Sequence, residues 1–128
     1  MNADMLGVLV NIKELKNKMN DNAGKVEMGT VSLAEWSNST YMVARQELKE
    51  YMMSLKIELI KEVILLFELG QGGYIEGASN KEIYKVLKQD IRKMGSKEVS
   101  EMIEDMVGNL RLVYRLEHGL DVLIELGK

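Results

Sequence analysis

"LKIELIKEVILLFELG", residues 55–70, is the stretch on which the fold turns. Ile57, Ile60, Ile64 and Phe67 recur at helical spacing and form one stripe. Leu59, Val63 and Leu66 form a second stripe beside it. A helix apolar over more than half its circumference has no face to offer water and belongs inside a core. Gly70 follows the last apolar residue, where glycine in the left-handed conformation commonly satisfies the free carbonyls of a helix end. The segment is therefore expected to be a buried central helix.

The rest of the chain agrees with a helical reading. There is no proline among the 128 residues, strand-like alternation is sustained nowhere, and Leu, Lys, Glu, Met and Ile dominate. Hydrophobic residues make up 46% and charged residues 29%, the balance of a globular protein, and the length suits one core. The expectation is an all-α protein: a single compact bundle of five or six helices around a buried central helix.

Upstream, Met5, Val8, Ile12, Leu15 and Met19 recur at spacings of three and four and define an amphipathic first helix, residues 1–19. Residues 20–31 carry two glycines and little periodicity and read as a loop or linker, leaving 32–128 as the helical core. Ser32 with Glu35 has capping-box spacing. The helix it opens has Leu33, Trp36, Val43, Leu48, Tyr51 and Leu55 as apolar positions, with a break at Ser54.

Downstream, Ser79 with Glu82 repeats the capping box, ahead of a helix whose apolar face is Ile83, Leu87, Ile91 and Met94. Gly95 stops that helix, and Ser96 is placed to cap the next, with Val99, Met102, Ile103 and Met106 facing inward. Gly108 and Asn109 mark another break. A last helix from about Leu110 to Leu126 aligns Leu112, Leu116, Gly119, Leu123 and Leu126, and the glycine in that row admits a neighbouring backbone.

Composition excludes several chemistries. With no cysteine there is no disulfide framework, thiolate metal site or thiol nucleophile. His118 is the only histidine, so a multi-histidine metal site cannot be built within one chain, and His118 is left as a lone general base or pH-sensitive group. Glu101, Glu104 and Asp105 lack the Glu-x-x-His partner of di-metal bundles. No metal, cofactor or catalytic residue is assigned. Asp4 stands where a secretory signal carries positive charge, and no apolar run approaches the ~20 residues that span a bilayer. A cytoplasmic protein without membrane contact is expected.

The glycine-rich stretch "ELGQGGYIEG", residues 68–77, is not a phosphate cradle. Ile75 stands in the third position of G-x-G-x-x-G, no G-K-[ST] follows, and Glu68 and Glu76 flank the loop. It reads as a helix stop, with Gly72, Gly73 and Tyr74 as a candidate ligand loop. A helix-turn-helix about Gly95 fails because Asp90, Glu101 and Glu104 occupy its apolar positions. Its second helix carries one lysine against four carboxylates, so specific DNA reading is not expected.

"ELIKEVILLFELGQGGY" and "GNLRLVYRLEHGLDVLIELG", with the charge-rich helix between them, resemble a family of short bacterial helical proteins, a domain of unknown function. In that family an apolar helix ends in a Leu-Gly-x-Gly turn and the chain closes with a Leu-x-x-Gly-Leu helix. Leu69, Gly70 and Gly72 match the first, and Leu116, Gly119 and Leu120 the second, over residues 57–127. The chain departs at Glu68, where the family has Trp, and at Leu110, where it has Pro. The resemblance implies a helical fold and carries no activity.

Two groups remain as candidate contact residues. Lys81, Lys85, Lys88 and Arg92, spaced 4, 3 and 4, form a basic stripe suited to a polyanion or an acidic partner. Met5, Val8, Ile12, Leu15 and Met19 form a seam to be buried either against a second copy, giving a homodimer, or against the chain's own core. Arg111, Arg115 and His118 share the polar side of the last helix. The expected function is a non-catalytic protein-binding or regulatory module, with a protein or a second copy as partner. The alternative is a weak nucleic-acid or anionic-ligand binder using the basic stripe, and an enzyme of unknown type comes third.

Overall fold

A computed structural model describes residues 3–23, 40–71 and 79–127. Those residues form six helices and no strand: α1 Ala3–Ala23, α2 Thr40–Ser54, α3 Ile57–Leu69, α4 Asn80–Arg92, α5 Ser96–Gly108 and α6 Leu112–Leu126. The fold is all-α. Contacts gather into two compact units, Met1–Ser54 and Leu55–Lys128, divided at the break after Ser54. Residues 24–39 and 72–78, including the Ser32–Glu35 box, Trp36 and the Gly72, Gly73 and Tyr74 loop, lie outside the described residues.

In the first unit α1 packs on α2. Met5, Val8, Ile12 and Met19 are buried and Leu15 is half-buried, as helical spacing requires. The facing residues are Ala44, Leu48 and Met52, each one turn beyond the last; Val43, expected inward, points out and is 51% exposed. Asn11 Nδ2 donates to Tyr51 Oη at 3.0 Å, and Lys18 Nζ meets Glu47 Oε2 at 3.0 Å. Position 11 beside 51 and 18 beside 47 make the pair antiparallel.

In the second unit α3 is the central element expected, with Ile60, Val63, Ile64, Leu65, Leu66, Phe67 and Leu69 buried. Only Ile57, in the first turn, departs from the apolar stripes and is exposed. α4, α5 and α6 each pack against α3. Two glycines set the closest of these contacts. A Cβ on Gly119 would overlap the Leu66 carbonyl, and one on Gly70 would overlap the Arg115 carbonyl. Pairing 66 with 119 and 70 with 115 runs α3 and α6 antiparallel at backbone contact.

Gly70 corrects one expectation. Its φ of −71° and ψ of −14° are right-handed, so no left-handed cap ends α3. Its N–H still donates to Leu66 O at 2.9 Å, and the Phe67 carbonyl is satisfied from α6, by Arg115 Nε at 3.1 Å. Glycine is required here because a backbone passes, not because of its torsion.

The remaining ends follow local chemistry. Ser79 Oγ accepts from the Glu82 N–H at 3.3 Å and opens α4, as its spacing indicates. At the other end Lys61 Nζ, from α3, donates to Arg92 O at 3.0 Å, placing positive charge on α4's free carbonyls. α5 begins one residue earlier than the Ser96 cap implies: Gly95 is the N-cap, and its N–H donates to Glu98 Oε2 at 3.4 Å. α6 starts at Leu112 rather than Leu110, because Asn109 Oδ1 accepts from the Arg111 N–H at 2.8 Å and holds a turn there. Leu112, Leu116 and Gly119 are buried, while Leu123 and Leu126 are half-buried.

Candidate interaction surface on the fourth helix

α4 is a surface helix with only Leu87 and Ile91 buried and Ile83 and Tyr84 half-buried. At about 100° per residue, Lys81, Lys85, Lys88 and Arg92 centre about 130° around the helix from Leu87, on the side next to Tyr84. All four are exposed. With Tyr84 and Gln89 they line an open depression of about 390 Å³. From Lys81 to Arg92 the row extends about 16 Å at 1.5 Å per residue. Lys88 Nζ lies 5.7 Å from the Tyr84 ring centroid, within cation–π range. None of the four makes an ion pair with another described residue. The structure thus brings the whole expected stripe together on one accessible surface.

The next helix carries the opposite sign. In α5, Val99, Ile103, Met106 and Val107 are buried, and Glu98, Glu101 and Asp105 are exposed on the face away from Ile103. This outward ridge is acidic, which is the wrong charge for reading DNA. Among the described residues no group of three His, Asp or Glu side chains is placed to hold a metal ion.

Of the three residues expected on the polar side of α6, Arg111 and His118 both lie against Tyr114, while Arg115 turns to α3. The Arg115 guanidinium lies 3.5 Å from the Phe67 ring centroid, donates Nε to Phe67 O at 3.1 Å and donates an Nη to Gln71 Oε1 at 3.1 Å. It fastens the end of α3 instead of facing solvent. The Arg111 guanidinium stacks 4.7 Å from the Tyr114 ring centroid. His118 is half-buried beside Tyr114, with ring centroids 5.9 Å apart, and its Nδ1 is buried with no hydrogen-bond partner among the described residues. The seam on α1 is covered by α2 within one copy, so pairing two copies through Met5, Val8, Ile12 and Met19 requires α1 to leave α2.

Sequence reasoning missed Lys16. It sits on the buried face of α1, one turn from Ile12, and is 1% exposed. Burial, and secondly the positive charge of Arg45, hold its ammonium down to a pKa of about 8. A lysine so shifted is the kind of amine that condenses with carbonyl substrates. At 1% exposure it is out of reach of any substrate in this conformation. The available signal was its place in the row 5, 8, 12, 16, 19, which a charged residue type conceals.

Comparison of the chain with protein-family models, with curated proteins and with solved structures finds no match. Among the described residues no helix is long and apolar enough to cross a membrane.

Proposed function

We propose that this chain is a non-catalytic protein-binding module that takes an acidic partner surface along the basic face of α4. The observation that carries the reading is the exposure of Lys81, Lys85, Lys88 and Arg92 around one open depression beside Tyr84. A row about 16 Å long matches three turns of a partner helix. Exposed ion pairs contribute about 0–1 kcal/mol each, so the contact is weak, reversible and salt-sensitive, the regime of regulatory association. A protein partner is favoured over nucleic acid by the net charge of −3 and by the acidic ridge on α5, which repel an extended phosphate backbone.

Fluorescence anisotropy tests the reading. A labelled helical peptide with glutamates along one face and a labelled single-stranded oligonucleotide are titrated with the protein and with its Lys85→Glu, Lys88→Glu variant. The peptide is expected to bind in low salt and to weaken at least tenfold in the variant. Peptide binding indifferent to the double change removes α4 as the contact, and tighter binding of the oligonucleotide transfers the reading to a polyanion binder.

A further inference from the structure

We propose that the acidic surface received by the α4 stripe is helix α5 of a second copy, so that two copies pair reciprocally, α4 on α5 and α5 on α4. The inference rests on the reading of α4 as a protein contact and names its partner.

Each copy carries both complements. On α4 the cations are spaced 4, 3 and 4; on α5 Glu98, Glu101 and Asp105 are spaced 3 and 4. Both rows are therefore single faces of a helix, about 16 Å and about 10 Å long. Both are exposed, and they do not meet within one copy, because α4 and α5 each pack on α3 rather than along one another. The short connection through Gly95 keeps the two rows in one unit.

A two-fold axis uses such a pair of rows completely. If α4 of one copy lies on α5 of the other, symmetry places the second α5 on the second α4, and the assembly closes at two. Other helices carry carboxylates in a row as well: on α6, Glu117 and Glu125, either side of Asp121, already interact with neighbours, and on α2 Glu47 and Glu50 are engaged. Glu47 pairs with Lys18, and Glu50 Oε1 accepts from Gln46 Nε2 at 3.2 Å. The acidic ridge on α5 is thus the better complement. The two rows meet through exposed charges, so the pairing is steeply salt-dependent.

Charge reversal tests it, with reciprocity as the signature. The wild-type chain, Lys85→Glu with Lys88→Glu, Glu101→Lys with Asp105→Lys, and an equimolar mixture of the two variants are compared by sedimentation velocity. The wild type is expected to dimerise in about 20 mM salt and to dissociate in about 500 mM. Each variant alone, with the middle of one row reversed and no longer complementary to the other row, is expected to be monomeric. The mixture restores both contacts at once and is expected to dimerise within a few-fold of wild type, which also shows that both variants are folded. A wild type that stays monomeric in low salt, a dimer that survives both reversals, or a mixture that stays monomeric each overturns the inference. A monomeric wild type that binds the acidic peptide through Lys85 and Lys88 overturns the pairing alone and leaves the protein-binding reading standing.

Discussion

Replacing Lys16 by methionine should stabilise the protein, and by an amount that depends on pH in a defined way. The side chain is 1% exposed, and its pKa falls from 10.5 to about 8, first through burial and then through Arg45. At about 1.4 kcal/mol per pH unit that drop is about 3 kcal/mol of penalty for holding the charged form in the folded chain. Stability follows the difference in protons bound by the unfolded and folded states. Between pH 8 and 10.5 the unfolded chain keeps the Lys16 proton while the folded chain releases it, so stability rises with pH across that window. Below about pH 8 both states are charged and the whole penalty is present. Lys16→Met keeps a long apolar stem in the same space, and replacing buried charge by apolar atoms typically gains about 1–4 kcal/mol. The expected gain is about 1–3 kcal/mol near pH 7, shrinking above pH 8 and small near pH 10.5. Urea unfolding of both proteins, followed by far-UV circular dichroism at about pH 6, 7, 8, 9 and 10, gives the difference directly. Groups common to both chains cancel in it. A gain that stays flat with pH, or a loss of stability near pH 7, refutes the account of Lys16 as a buried charge.

Three further outcomes are expected. Gly119→Ala and Gly70→Ala should each lower unfolding stability by about 3 kcal/mol or more, since the added methyl meets a backbone carbonyl that cannot move aside. Gly7→Ala, with nothing within 4 Å of its Cβ in α1, should raise stability by about 0.5–1 kcal/mol; thermal melts of the three variants separate the cases. Arg115→Lys keeps the charge but loses the planar group over Phe67 and the fork that reaches Phe67 O and Gln71 together, and should cost about 1–3 kcal/mol by denaturant titration.

What the sequence disclosed and what it hid divide by range. The doubly striped run from Ile57 to Phe67 marked the buried helix, Ser79 marked a cap, Gly119 marked a close approach, and the 4-3-4 spacing of Lys81 to Arg92 marked the exposed stripe. Each is a pattern legible within a few residues of sequence, even where, as at Gly119, the contact it admits comes from a distant helix. Lys16 and Arg115 were hidden because residue type stood in for exposure, although a lysine stem is itself apolar and a guanidinium stacks on rings. Arg115 in addition finds its partners on α3, far away in the chain, and no spacing rule reaches that far. Gly70 was recognised as the helix end but for a reason of torsion. Its real constraint, the carbonyl of Arg115, becomes visible only when α6 is in place.

The antiparallel contact of α3 with α6 also fixes an order of events during synthesis. α3 is the most apolar helix and emerges from the ribosome first in its unit, yet the helix that meets its backbone at Gly119 is the last to appear. Until then α4 and α5 are the only cover within that unit, with no Gly119 against the Leu66 carbonyl and no Arg115 guanidinium over the Phe67 ring. At about 5–20 residues per second that interval lasts several seconds. A stalled or truncated chain that ends before α6 therefore displays an uncovered apolar helix, the kind of segment that chaperones bind and that aggregates when they do not.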